Sequence, residues 1–288
     1  MVGVELGLWG HGRTVALPLV PARPASVPRG PTRVARSADG GRADVVPGRV
    51  LAIYAHPDDP EVACAGTLAS WVRYGSEVVV ISAARGEKGA GGGSPEELAS
   101  RRASESRSAA AILGVADWRT LGLDDGEIEN TTELRRTLVG VIREVRPDAV
   151  LTSDPTAVFF GDSYVNHRDH REIGWAVLDA VSPAAANPSY YPEAGEAHRV
   201  SELYLSGTLE PTVWIDISTT IDDKIAALGC HQTQLSHAIE GVALDEGGGG
   251  AARADSELVA AVVRARAQSD GRVAGMASAE SYRRVRLV

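Results

Sequence analysis

Two short stretches of the chain bring histidines and aspartates together. In "YAHPDDPE" an apolar run, Val50 to Ala55, ends in His56 and then in two adjacent carboxylates, Asp58 and Asp59. Like charges side by side repel, and neither is cheaply buried without a partner of opposite sign. In "NHRDHRE" His167, Asp169 and His170 stand at the start of a predicted helix, with the two histidines three residues apart and so on one face. A histidine, an aspartate and a second histidine make the nitrogen and oxygen ligand set of a catalytic zinc with an open position. A divalent cation would also offset the repulsion between Asp58 and Asp59. Each stretch alone has a plainer account, the first as a turn with a capping aspartate and the second as an ordinary helix start. Together, at the ends of two strands, they favour a metal site.

The elements that must position these residues alternate. "RVLAIYA" (49–55) reads as a strand buried on both faces, "EVACAGTLASWVRYG" as one helix ended by Gly75, and "EVVVISAA" (77–84) as a second strand. After the glycine-rich "GEKGAGGG", taken as a mobile segment beside the site, Ser94, Pro95 and Glu97 form a capping box at a helix start. "DWRTLGL" contains a short strand, "TTELRRTLVGVIREV" is an amphipathic helix ending before Pro147, and "DAVLTSDP" (148–155) is a strand finishing in an acidic turn. Such alternation predicts an α/β domain, Rossmann-like, with a mainly parallel sheet flanked by helices. Ligands in such sheets bind beyond the carboxyl ends of strands, where "HPDD" and "SDP" both fall. Further on, "REIGWAVLDAV", "TIDDKIAALGCHQ" and "SELVAAVVRARAQ" read as helices, "ELYLSG" and "TVWIDIS" as strands, and "EGGGGAARAD" as a flexible break. These make a smaller C-terminal extension to one domain over 48–288. Residues 1–47, rich in Pro, Gly and Arg, read as a flexible leader.

Bulk properties exclude several classes. A net charge of −9 argues against nucleic acid and against a polybasic membrane contact. No apolar run reaches the roughly 18 residues of a membrane span, and the first 30 residues lack the layout of a secretion signal, so the expected location is cytoplasmic. Two cysteines, Cys64 and Cys230, imply no disulfide framework and no thiolate metal site. "GAGGGS" (89–94) lacks the third glycine of a dinucleotide fingerprint and follows the second strand instead of the first.

The stretches "AHPDDPEVACAGTLA", "RGEKG", "LDDGEIE", "RPDAVLTSDP", "NHRDHR" and "KIAALGCHQTQ" occur here in one order. Together they resemble the PIG-L/LmbE-like zinc-dependent N-deacetylases, which act in GlcNAc-phosphatidylinositol, mycothiol and bacillithiol biosynthesis and on sugar-bearing antibiotics. The match runs from about Arg49 to the terminal "AESYRRVRLV" and omits the leader. The resemblance implies a Zn2+ cofactor held by His56, Asp59 and His170, with Asp58 as general base. It implies that His167 polarises the amide carbonyl, stabilises the oxyanion or acts as general acid, its ring held by Asp169. It places sugar contacts on Arg102 and Asp125, although Arg102 pairing with Glu105 or Glu97 on a solvated helix face is the plainer account.

The function expected is therefore zinc-dependent hydrolysis of an N-acetyl or other N-acyl group from an amino-sugar-containing small molecule. A homo-oligomer is compatible with this reading. Two competing functions stay open: a non-haem metal oxygenase, whose facial triad also uses two histidines and a carboxylate, and a non-catalytic sugar- or nucleotide-binding module. His231 and Lys224 lie in a stretch that carries the resemblance, but a structural role suits His231 better. Cys64 reads as a core cysteine.

Overall fold

The structure, a computed structural model, describes residues 35–37, 46–235 and 252–287. The remainder of the expected leader, and residues 236–251 with the glycine run 247–250, lie outside the described residues. Within the leader Ala35–Ser37 forms strand β1. The organising element is β2 (Arg49–Tyr54), whose residues from Val50 onward are fully buried. Because side chains alternate along a strand, Leu51 and Ile53 face one way and Val50, Ala52 and Tyr54 the other. The first pair packs with Leu134, Leu138 and Ile142 of α4 (Thr132–Val145) and with Ile173 and Val177 of α5 (Arg168–Asp179). The second set packs with Leu68 and Trp71 of α2 (Ala65–Arg73). A strand with two apolar faces must lie between layers, which is why the run carries no polar residue until it ends.

Five strands run parallel in the order β4 (Asp117–Leu123), β3 (Glu77–Ala84), β2, β5 (Ala149–Ser153), β8 (Glu202–Ser206). The same sheet continues antiparallel through β10 (Ala279–Arg286), β9 (Val213–Asp216) and β1, so the C-terminal extension is its far edge. The chain travels outward from β2 to β4 and then returns to place β5 on the other side of β2. That reversal opens a crevice at the carboxyl ends of β2 and β5. A small hairpin of β6 (Phe159–Phe160) and β7 (Tyr164–Val165) leads from β5 to α5.

Helix α3 (Pro95–Leu113) begins at the expected capping box, with Glu97 N donating to Ser94 Oγ at 3.3 Å and Ser94 N to Glu97 Oε2 at 2.9 Å. The glycine-rich segment before it is tied down: Gln234 donates to Ala90 O at 2.8 Å, and Arg101 donates to Gly91 O and Gly92 O. The last helix, α7, spans Ala252–Ala274, so part of the expected flexible break is helical.

Two further features differ from expectation. The helix expected over 61–75 is two helices, α1 (Asp59–Ala63) and α2, broken at Cys64. Strand β10 has no apolar run to announce it. One buried side chain explains both. Glu280 of β10 accepts hydrogen bonds from Gly66 N (3.1 Å) and Thr67 N (2.8 Å) in the first turn of α2. It supplies from a distant strand the cap that the local sequence lacks. Its charge is matched by Lys224 of α6 (Ile221–Leu228), whose Nζ lies 2.6 Å from Glu280 Oε1 and also donates to Val62 O at 2.8 Å. Tyr282 donates to Glu280 Oε2 at 3.0 Å. Removing one partner of such a pair strands the other charge in the interior. Glu280→Ala should therefore lower stability by about 3–5 kcal/mol, read as a shift of the urea unfolding midpoint. An unchanged midpoint would show that the pair contributes nothing to holding α2.

Candidate metal centre

His56 follows the last residues of β2, and its amide donates to Asp59 Oδ2 at 2.8 Å, which folds the chain tightly into α1. His170 stands in the first turn of α5 and reaches back over the same crevice. His56 Nδ1 and His170 Nε2 are 3.2 Å apart, and Asp59 presents Oδ2 at 3.4 Å from the first and Oδ1 at 3.2 Å from the second. Bonds of about 2.0–2.1 Å to a tetrahedral cation place neighbouring donor atoms about 3.3–3.4 Å apart. The three side chains thus fit a divalent cation without rearrangement.

The nitrogens turned away from this point are engaged in the way that ligating imidazoles require. His56 Nε2 lies 3.2 Å from Asp125 Oδ1 and 3.3 Å from Asp169 Oδ2. His170 Nδ1 lies 3.1 Å from Asn166 Oδ1, and Asn166 Nδ2 donates to Ala157 O at 2.9 Å, which orients the amide. Protons on these outer nitrogens leave His56 Nδ1 and His170 Nε2 as lone pairs facing each other. The electrostatics agree. Burial disfavours charge on His56, but Asp59, Asp125 and Asp169 outweigh it and push its pKa up to about 12. Against its own burial, Asp59 is held well below the ordinary carboxylate range by His170 and His56. The crevice demands positive charge, and a cation can supply it in place of a proton.

Asp58 occupies the N-cap position of α1 but makes no capping hydrogen bond, so the plain capping role is not the one it plays. Its Oδ1 instead accepts from Arg102 Nη2 at 2.5 Å. Arg102 is buried, donates also to Gly86 O at 3.0 Å, and does not pair with Glu105. Glu105 accepts from Thr233 N and Oγ1 at 2.9 and 2.7 Å. The "RGEKG" stretch has a steric purpose here. A Cβ at Gly86 or Gly89 would stand 2.3 or 2.7 Å from Arg102 Nη1, and Gly86 has φ +70°. Only glycine leaves room for the guanidinium.

The eight residues singled out from the sequence converge, though not in every expected pairing. The Asp169 carboxylate does not hold the His167 ring. It accepts from Gly126 N (2.7 Å) and Ile128 N (3.3 Å) and faces His56. His167 instead caps α5, its Nδ1 accepting from Asp169 N at 3.3 Å. Burial, with His56 and His170 nearby, lowers the His167 pKa, so its imidazole is a neutral group with the proton on Nε2. Asp125 lies against His56, with its amide donating to Glu87 Oε1 at 2.8 Å. Sequence reasoning missed Asn166 and Glu87, both inside quoted stretches. Nothing in their spacing announces a supporting contact. His231 is buried, with Nε2 3.1 Å from Glu61 Oε2.

The model of the family described as PIG-L, GlcNAc-PI de-N-acetylase, matches residues 51–181, a span that holds the eight residues singled out from the sequence together with Glu87 and Asn166. A diacetylchitobiose deacetylase of Thermococcus kodakarensis is 34% identical over 192 residues, 65% of this chain and 70% of the relative. A 1D-myo-inositol 2-acetamido-2-deoxy-alpha-D-glucopyranoside deacetylase of Geodermatophilus obscurus is 31% identical over 54% of this chain and 60% of its own length. Among solved structures, the N,N'-diacetylchitobiose deacetylase of Pyrococcus horikoshii, complexed with an inhibitor, superposes with a TM-score of 0.70 at 25% identity. That match covers 83% of this chain and 84% of the other. These relatives lend no support to an oxygenase or to a non-catalytic module. Among the described residues no helix is long and apolar enough to cross a membrane. With its sheet, its crevice and its histidine–aspartate cluster in the matched span, the chain belongs to the PIG-L family of de-N-acetylases.

Proposed function

We propose that the protein is a zinc-dependent hydrolase that releases the acyl group from the nitrogen of an N-acetylated amino sugar or glycoside, through a catalytic unit spanning 48–288. The observation that carries this reading is the division between Asp59, folded into the donor triangle with His56 and His170, and Asp58, beside it but held by Arg102. Relatives named for diacetylchitobiose and for an inositol-linked acetamido sugar support the substrate class.

A zinc ion at His56, Asp59 and His170 would supply Lewis acidity and bring the pKa of water toward about 7. The protein's own groups then divide the proton work. Asp58 takes the proton of the attacking water as its oxygen bonds to the amide carbon. His167, neutral and carrying its proton on Nε2, donates a hydrogen bond where negative charge develops on the carbonyl oxygen. As the C–N bond breaks, the proton held on Asp58 passes to the departing nitrogen, and acid and amine leave. Arg102 fixes the Asp58 carboxylate, so the base has one orientation when substrate arrives. Asp125 and Arg102 are also suited to bonding sugar hydroxyls that enter the crevice.

Two outcomes follow. Asp58→Asn should keep zinc near one equivalent while kcat falls by about 10²–10⁴-fold, measured as freed amine on a panel of N-acetylated amino sugars beside elemental analysis. Undiminished turnover would remove Asp58 from the mechanism. Asn166→Ala should weaken zinc binding by about 10–100-fold, read by competition with a chromophoric chelator. An affinity equal to that of the unaltered protein would show that Asn166 does not orient His170.

A further inference from the structure

Beside the metal centre lies a cavity of about 610 Å³ that touches the centre only through Asp59, His170 and Asn166. Asp58, Arg102, Asp125 and His167 do not line it. Its walls come from α1, the β6–β7 hairpin, α6, α7 and the sheet strands β2, β5, β8 and β10; Val62, Phe160, Leu228, Val259, Val262 and Val263 make its apolar part, and Arg266 and Asp270 of α7 also line it. The buried charges in its wall, Lys224 and Glu280, satisfy each other and offer no free group for a sugar hydroxyl. Several large apolar side chains that the fold leaves exposed are also gathered here, Val62 at 52% and Val262 at 43% among them.

The site thus has two arms. The polar one holds Asp58, Arg102, Asp125 and His167, and suits a hydroxylated ring. The apolar one is of ligand size, far larger than the single methyl of an acetyl group. We propose that this apolar arm receives the acyl chain of the substrate, and that the protein hydrolyses N-acyl amino sugars with chains longer than acetyl. This rests on the hydrolase reading above and specifies its substrate. Water in the cavity would wet apolar walls, and each methylene that replaces it gains about the transfer free energy of a CH₂ group. The gain is realised on the acyl side of the scissile bond, where the reacting carbon anchors the chain.

The test is a series of N-acetyl-, N-butyryl-, N-hexanoyl- and N-octanoyl-glucosamine. Zinc-loaded full-length protein should show kcat/KM rising about fourfold per added methylene until the cavity fills. Val259→Trp, which narrows the cavity, and Val262→Arg, which charges its exposed rim, should each lower the hexanoyl-to-acetyl ratio of kcat/KM at least tenfold. Calorimetry on metal-free protein gives a second readout, with N-hexanoylglucosamine binding more tightly than the acetyl compound and with a more negative heat-capacity change. A flat or falling series, or equal affinities by calorimetry, overturns the acyl assignment while leaving deacetylation intact. Chain-length dependence seen only with alkyl glycosides of N-acetylglucosamine overturns it in favour of an aglycone site. If no N-acyl sugar is hydrolysed, the hydrolase reading fails and the substrate assignment fails with it.

Discussion

Carboxylates crowd about one imidazole at the centre of this molecule. His56 has Asp59 against Nδ1 and both Asp125 and Asp169 against Nε2, while Asp58 lies two residues along the chain. Among the described residues, Arg102 alone of the arginines and lysines forms an ion pair with this group. Nearby carboxylates raise one another's energy unless positive charge stands between them. Gathering four in a half-buried crevice creates a demand for positive charge, which protons on the imidazoles or a cation between them can meet. The fold meets the geometric half of that requirement: β2 delivers His56 and Asp59, β4 leads into Asp125, and α5 delivers Asp169 and His170. Because β2 lies at the reversal of strand order, these segments meet at one end of the sheet.

Holding such a cluster needs support from outside it. Helix α1 is only five residues long, too short to be stable alone. Its last turn is bound by Lys224, whose charge is balanced by Glu280, which in turn caps α2. The farthest part of the chain, β10, thereby fixes the segment that follows Asp59. This gives the terminal "AESYRRVRLV" a structural reason to accompany the motifs of the crevice, with no direct contact to the reacting groups.

Much of this was legible in the residues. The buried parallel strand, the Ser94–Glu97 capping box and the pairing of "HPDD" with "HRDH" all depend on local chemistry or on short spacing, and the structure holds each of them. What could not be read depends on partners far away in sequence. Glu280 lies in a stretch of charges that reads as surface until Lys224, Gly66 and Thr67 are brought to it. Arg143 looks like the polar face of α4, yet its guanidinium donates to backbone carbonyls of Ala184, Ala185, Asn187, Tyr190, Tyr191 and Gly195. The partner of Asp169 differs from expectation for a related reason. Neighbours in sequence at a helix start need not be neighbours through their side chains, and the carboxylate turned toward the amides of Gly126 and Ile128.

Arg102 shows how these levels join. On sequence grounds it had an ordinary partner three residues away in Glu105. Burial removes that option, because a guanidinium without water must place its donors on fixed acceptors. The acceptors available are Gly86 O and Asp58 Oδ1, and reaching them requires the backbone at Gly86 and Gly89 to come closer than any side chain would permit. The glycines of "RGEKG" are thus part of the machinery that orients Asp58, although neither could donate or accept a proton through a side chain. The same contact separates the adjacent aspartates by environment: Asp59 faces the two histidines, and Asp58 faces an arginine. Two carboxylates joined by one peptide bond can then serve as ligand and as base without competing for the same cation.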